Sequence, residues 1–107
     1  MKDIKKFIEL LKIVEKLRGP DGCPWDKEQT HESLLPYLLE ETYEVIESIE
    51  ELKLDNLKEE LGDVLLHVVL QTQIASENSK FNMNDVLNTL NTKLIKRHPH
   101  VFGKERV

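Results

Sequence analysis

Apolar residues recur at every third or fourth position along almost the whole chain, and this spacing predicts amphipathic helices rather than strands. The first helix is predicted to begin at a cap on Asp3 and to stop at Gly19-Pro20. Its buried stripe comprises Ile4, Phe7, Ile8, Leu11, Val14 and Leu17. The next ten residues, GPDGCPWDKE, contain two glycines and two prolines and predict an ordered loop that is neither helix nor strand.

Three more helices follow with the same spacing. Their predicted limits are a cap at Thr30 through Leu52, a cap at Asp55 or Asn56 through Asn78, and a cap at Asn82 through a stop at His98-Pro99. Pro36 predicts a kink or a restart near the beginning of the second helix. The gaps between the helices are short, which favours antiparallel neighbours. The predicted fold is therefore an all-α, four-helix antiparallel bundle.

The charge is unevenly distributed along the 107 residues, whose formal net charge is −5. The segment from Glu40 to Asp63 contains ten acidic residues and two lysines, so its formal charge is −8. The segment from Lys80 to the end has a formal charge of +4. The acidic block formed by residues 40–63 would repel the phosphates of a nucleic-acid polymer. We therefore expect this segment to bind a divalent cation and not a nucleic acid. No apolar stretch predicts a membrane span, the charged start resembles no signal peptide, and the single Cys23 fits a cytoplasmic location.

Two pairs of carboxylates lie beside the apolar seams of neighbouring predicted helices. On a helical wheel, Glu41 and Glu44 fall on one flank of the second helix, and Glu60 and Asp63 fall on one flank of the third. If these helices pack as a hairpin, the four carboxylates converge on one cleft. Such a cluster is electrostatically costly without a cation, and oxygen ligands select hard ions such as Mg²⁺ or Mn²⁺.

Basic residues on the fourth helix complement this predicted site. Lys93 and Arg97 are four residues apart on one face, from which they could hold a phosphate chain against a metal ion. A run of acids on an amphipathic helix is also typical of a solvated face, and we interpret Glu47, Glu50, Glu51 and Glu59 in that way. Gly62 lies inside a strong helical pattern, where it indicates either close packing or access to a ligand.

The acidic residues also resemble a known motif. Glu40-Glu41-Thr42-Tyr43-Glu44, followed after fifteen residues by Glu60-Leu61-Gly62-Asp63, resembles the EExxE…ExxD motif of all-α nucleoside triphosphate pyrophosphohydrolases. The flanking sequences GPDGCPWD at 19–26, QTHESL at 29–34 and KLIKRHPHVFG at 93–103 narrow the resemblance to the MazG family. The similarity extends from Leu17 to Gly103. It implies one MazG-like domain over residues 1–107, with the all-α bundle fold of that superfamily.

The resemblance implies Mg²⁺-dependent hydrolysis of nucleoside triphosphates to a monophosphate and pyrophosphate, with broad base specificity and at least a homodimer. It implies the following roles: Glu40, Glu41, Glu44, Glu60 and Asp63 bind metal, Lys93 and Arg97 contact the triphosphate, and Trp25 contacts the base. Either Glu41 or Glu44 orients the attacking water as general base. Trp25 has a second interpretation as a packing anchor of its loop.

Two other functions are compatible with the pattern. A di-iron carboxylate bundle requires Glu-x-x-His pairs, and neither Glu41–Glu44 nor Glu60–Asp63 contains a histidine. A catalytically silent domain that only dimerises or regulates is the second alternative. Many MazG proteins carry two such domains in tandem, so this chain is either free-standing or one domain of a longer protein. His67 is not counted as a ligand, since relatives often have another polar residue there.

Overall fold

The computed structural model describes residues 2–103, in which it contains six helices and no strand. The helices are α1 (Lys2–Leu17), α2 (Pro24–Glu28), α3 (Leu35–Glu50), α4 (Leu54–Glu77), α5 (Met83–Arg97) and α6 (Pro99–Phe102). The all-α prediction is confirmed: the four predicted helices correspond to α1, α3, α4 and α5, and the structure adds two short helices. None of these helices is both long enough and apolar enough to cross a bilayer.

The two additional helices, α2 and α6, are short and begin with a proline. Residues 24–28 were predicted to be loop but form α2, which has Pro24 in its first turn and Asp26 close behind it. Pro99 occupies the same position in α6. Proline fits the first turn because the nitrogen of that residue needs no hydrogen-bond partner there, and its fixed φ is already helical. A proline that ends one helix can therefore begin the next.

A long helix begins where the sequence predicts if its cap involves residues that are close together in the sequence. The side chain of Asn82 accepts a hydrogen bond from the Asp85 amide at 3.0 Å, and Asp85 Oδ2 accepts one from the Asn82 amide at 3.0 Å. This reciprocal cap begins α5 as predicted. In contrast, α4 begins one residue before Asp55, so neither Asp55 nor Asn56 is its cap.

The start of α3 also differs from the prediction. Thr30 does not cap the helix, because α3 begins at Leu35. The Thr30 hydroxyl instead accepts a hydrogen bond from the Ser33 amide at 3.0 Å, which closes a preceding turn. Pro36 therefore lies in the first turn of α3, where it produces no kink.

Helix α4 is the centre of the fold, and α1, α3 and α5 each pack against it. The buried apolar residues are Val14, Leu34, Val69, Leu70, Ile74 and Ala75. The partly buried side chains that pack against this core are Phe7, Leu10, Leu11, Leu66 and Met83. Three residues connect α3 to α4, so the two helices form a hairpin. Arg18 fixes the other end of α4, because its guanidinium donates two hydrogen bonds of 2.9 Å to Glu77. It also bonds the backbone oxygens of Asp26 and Gln29.

Much of the predicted apolar seam remains exposed in the single chain. The three-or-four spacing of apolar residues predicts burial for the following large side chains, yet they keep 40–83% of their surface exposed: Ile4, Ile8, Leu35, Ile49, Leu52, Leu61, Leu65, Val68, Leu87, Leu90 and Leu94. Helix α5 contributes no buried residue. The radius of gyration is 16.5 Å, compared with about 13 Å for a compact chain of this length. The expectation that each stripe is buried within one chain is therefore only partly correct.

Candidate metal centre

Three carboxylates meet where α3 packs against α4. One ligand oxygen from each of Glu41, Glu60 and Asp63 lies within 4.8 Å of the other two. Glu60 and Asp63 share one face of α4 because residues three apart on a helix are neighbours. The α3–α4 hairpin then brings Glu41 to this face. The structure thus brings together acids from both halves of the EExxE…ExxD pattern.

Glu44 completes the group from the next turn of α3. Its carboxyl lies close enough to the side chains of both Glu41 and Glu60 to raise the pKa of each. We refer to Glu41, Glu44, Glu60 and Asp63 as the acidic cluster.

The electrostatics of the acidic cluster are unfavourable for four ionised acids. Burial raises the pKa of Glu41 from 4.5 to about 7, assisted by its hydrogen bond with Glu44 and by repulsion from Asp63, Glu44 and Glu60. The pKa of Glu60 is also raised, first by partial burial and then by Glu44 and Asp63. Within residues 2–103, the buried Oε2 atom of Glu41 has no hydrogen-bond partner. Hard oxygen donors, crowded charge and an unpaired buried oxygen fit a site for Mg²⁺ or Mn²⁺.

Glu40 is placed differently from the other acids of the motif. It is exposed on α3, and its carboxylate is not among the three that approach within 4.8 Å. Successive helical residues point about 100° apart, so Glu40 and Glu41 cannot both face α4. The structure therefore does not bring Glu40 into the acidic cluster.

Lys93 and Arg97 lie on the exposed face of α5. Together with Lys96 they line a surface depression of about 490 Å³. Neither residue forms an ion pair within the described part of the chain, and no cation is among the groups that shift the pKa of Glu41 or Glu60. In a single chain, the predicted phosphate-binding residues and the acidic cluster are therefore not in contact.

Trp25 lies on α2, next to the beginning of α3. Its ring packs edge-on against Tyr37, with ring centres 5.8 Å apart and an interplanar angle of 76°. The indole is nevertheless 48% exposed. Trp25 therefore combines a packing contact with an open surface, and its partner Tyr37 precedes Glu41 by one helical turn on α3.

His67 was not counted as a metal ligand from the sequence, but in the structure it lies next to the acidic cluster on α4. It follows Asp63 by one turn on α4 and is only 7% exposed. Burial lowers the pKa of its imidazole, although the charge of Asp63 acts in the opposite direction. Its Nδ1 is buried and has no hydrogen-bond partner among the described residues. The i+4 spacing from Asp63 was the available signal in the sequence.

Comparison with known proteins identifies the family. Residues 29–102 match the MazG nucleotide pyrophosphohydrolase domain. A Thermotoga maritima protein named nucleoside triphosphate pyrophosphohydrolase/pyrophosphatase MazG is 64% identical over 97 residues, which are 91% of this chain and 38% of that protein. An Escherichia coli K12 protein named nucleoside triphosphate pyrophosphohydrolase is 51% identical over 95 residues, covering 88% of this chain and 36% of its own length.

A third relative, from Mycobacterium tuberculosis and named nucleoside triphosphate pyrophosphohydrolase, is 41% identical over 105 residues, or 96% of this chain and 32% of that protein. The chain thus spans about a third of the length of these relatives. The family match covers the acidic cluster on α3 and α4 and both basic residues of α5. The chain therefore belongs to the MazG nucleotide pyrophosphohydrolase domain family.

Proposed function

We propose that this chain hydrolyses nucleoside triphosphates to a nucleoside monophosphate and pyrophosphate, with Mg²⁺ as cofactor and Mn²⁺ as a substitute. The observation that carries the proposal is the approach of Glu41, Glu60 and Asp63 to within 4.8 Å of one another. The names of the relatives from three bacteria support the same reaction. The broad range of bases accepted follows from the family resemblance.

The acidic cluster supplies the ligands in this proposal. Glu41, Glu60 and Asp63 hold the metal. A bound Mg²⁺ makes a coordinated water more acidic and screens the charge that develops on the leaving pyrophosphate. Glu44 belongs to the acidic cluster but is not among the three acids with oxygens within 4.8 Å of one another, so we assign it to orient the attacking water as general base, while Glu41 serves as ligand. Glu40 remains an outer member of the motif.

Lys93 and Arg97 bind the triphosphate, and Trp25 contacts the base from its exposed side. In one chain Lys93 and Arg97 make no contact with the acids, which supports a homodimer in which two copies assemble the complete site. The triphosphate of a single nucleotide can reach the acidic cluster through a bound cation, whereas the many phosphates of a polymer would be repelled by the acidic block. The lone Cys23, which has no disulfide within the described residues, is consistent with action in the cytoplasm.

The exposed apolar faces also support a homodimer. Leu61 and Leu65 on α4 and Leu87, Leu90 and Leu94 on α5 are between 40% and 52% exposed, although each belongs to a helical stripe of the kind that packs. Burying such a stripe yields about 25 cal/mol for each Å² of apolar surface. A second copy presents the same stripes, so the α4 and α5 helices of the two copies could pack together and complete a bundle. We therefore propose that residues 1–107 fold as one MazG-like domain that pairs with its own copy.

Hydrolysis in ¹⁸O-labelled water tests the proposed reaction. Attack on the α-phosphorus places the label in the monophosphate, and attack on the β-phosphorus places it in pyrophosphate. Asp63→Asn should abolish turnover, whereas Glu50→Gln, which removes one exposed acid from α3, should leave it intact. Label in pyrophosphate would overturn the proposed point of attack. Nucleotide binding without turnover would instead identify a silent MazG-like domain.

A further inference from the structure

A cleft of about 400 Å³ lies between residues of α3, α4 and α5. Its walls are largely apolar and include Leu38 of α3, Val68 of α4, Val86 of α5, and Phe81, which lies between α4 and α5. Leu38 precedes Glu41 by three residues and His67, which also lines the cleft, follows Asp63 by four. Because α3 and α4 are antiparallel, both steps lead in the same direction. The cleft therefore begins about one helical turn, or ~5 Å, from the acidic cluster.

His67 is the only polar side chain lining this cleft that has an unpaired buried nitrogen, among the residues that the structure describes. The hydroxyl of Thr72 donates to the Val68 carbonyl at 2.8 Å. The amide of Gln71 bonds to the ring of His31 and donates to the His31 carbonyl at 3.2 Å. The Thr72 hydroxyl and the Gln71 amide thus have partners within the protein, whereas the buried Nδ1 of His67 has none among the described residues.

We propose that this cleft receives the nucleoside of the substrate and that the imidazole of His67 forms a hydrogen bond with it. The inference rests on the proposed function, because a triphosphate bound at the acidic cluster is what aligns its nucleoside with the cleft. The sugar is bonded directly to the α-phosphate, so a cleft one turn away is within its reach. The volume is in the range of pockets that hold small ligands, about 300–1,000 Å³. The apolar walls suit the faces of a base and a sugar.

A polar ligand fits the cleft better than an apolar side chain from a second copy. An apolar occupant would leave the His67 nitrogen buried without a partner, which is unfavourable in a low-dielectric site. A nucleoside brings hydroxyls and ring nitrogens that can donate to or accept from a neutral imidazole. His67 is thus assigned as a nucleoside-contacting residue and not as a metal ligand.

Calorimetric binding with two probes tests the assignment. The first probe is the α,β-methylene analogue of ATP, which has a nucleoside and resists cleavage; the second is inorganic tripolyphosphate, which has no nucleoside. Both are titrated with Mg²⁺ into the wild type and into the variants His67→Leu, His67→Asn and His67→Gln. Asparagine places a polar atom near the position of Nδ1, and glutamine places one near that of Nε2. Thermal melts check that each variant folds.

We expect His67→Leu to bind the nucleotide analogue about tenfold more weakly, which is the effect of losing one hydrogen bond of ordinary strength. Its affinity for tripolyphosphate should be unchanged. Recovery of nucleotide affinity in His67→Asn or His67→Gln supports the hydrogen bond and identifies the nitrogen that makes it. The titration is repeated with the 2′,3′-dideoxy analogue to show whether His67 contacts the sugar or the base. If it contacts the sugar, His67→Leu should no longer weaken binding of this analogue; if it contacts the base, the loss of affinity should persist.

Equal nucleotide affinity in the wild type and His67→Leu would overturn this inference alone. Equal losses of nucleotide and tripolyphosphate affinity would also overturn it, because His67 would then act on the whole site through its structure. A wild type that binds neither probe with Mg²⁺ would overturn the proposed function and this inference with it. The three results are distinct, so the two proposals fail in different ways.

Discussion

The raised pKa of Glu41 makes a prediction about stability that is independent of catalysis. An acid with a higher pKa in the folded than in the unfolded state destabilises the fold once it ionises. For Glu41 this penalty grows as the pH rises from 4.5 to about 7 and is constant above that. Glu41→Gln removes the charge and keeps the shape of the side chain. We expect this variant to be more stable than the wild type at pH 8 without metal.

The size of the effect follows from the same pKa. A rise from 4.5 to about 7 corresponds to about 3 kcal/mol at full strength. Solvent screens part of this, because the Glu41 side chain is not fully buried, so we expect about 1–2 kcal/mol. In a domain of this size, that is about 4–8 °C in the melting temperature.

The assay is thermal unfolding in EDTA between pH 4.5 and 8 at a fixed protein concentration. The advantage of Glu41→Gln should be large at pH 8 and vanish near pH 4.5. Added Mg²⁺ should stabilise the wild type, increasingly so from pH 6 to 8 because the ligand must lose its proton, and should not stabilise the variant. Glu50→Gln, an exposed acid on the same helix, is the matched control and should behave as the wild type.

Two results would refute this reasoning. If Glu41→Gln melts below the wild type at pH 8 in EDTA, the ionised carboxylate is not a source of strain in the metal-free fold. If Mg²⁺ stabilises the variant as much as the wild type, the metal is held by other residues. Either outcome would remove the physical basis for the metal site.

Three further predictions concern other parts of the fold. Gly22→Ala places a Cβ 2.0 Å from the backbone oxygen of Leu17, so we expect the free energy of unfolding in urea to fall by more than about 2 kcal/mol. At Gly62 no atom lies within 4 Å of such a Cβ, so Gly62→Ala should raise the free energy of unfolding by about 1 kcal/mol. Arg18 lowers the pKa of Glu77. This pair therefore stabilises the fold above the unfolded-state pKa of Glu77, and the stabilisation is lost as the pH falls through the folded-state pKa. Glu77→Gln should lower the free energy of unfolding by about 2 kcal/mol at pH 7 and weaken its dependence on pH in the acidic range. Leu90→Glu should reduce self-association in light scattering, and a dimer unaffected by it would exclude this face of α5 from the interface.

The parts of the structure that follow from local chemistry could be read from the sequence. The reciprocal cap of Asn82 and Asp85 involves two residues three apart, so α5 begins where predicted. Glu60 and Asp63 share a face through helical geometry alone, and the short α3–α4 connection then requires Glu41 to meet them. The acidic cluster was therefore predictable as soon as the helices were identified.

What the sequence did not reveal depends on packing between distant segments. The separation of Lys93 from the acidic cluster depends on how α5 packs against α4, for which the residues of α5 give no signal. The free nitrogen of His67 is a property of its surroundings, because the identities of the neighbouring residues do not show which groups remain unpaired. The same holds for Arg18, whose bond to Glu77 joins residues 59 positions apart.

The most direct test of the proposed function is phosphorus NMR of a nucleoside triphosphate digest, with and without Mg²⁺. We predict that the wild type produces monophosphate and pyrophosphate only when metal is present, and that Glu41→Gln produces neither. Diphosphate and orthophosphate as products, or cleavage that continues in EDTA, would contradict the account of an α–β hydrolase built on the carboxylates of α3 and α4.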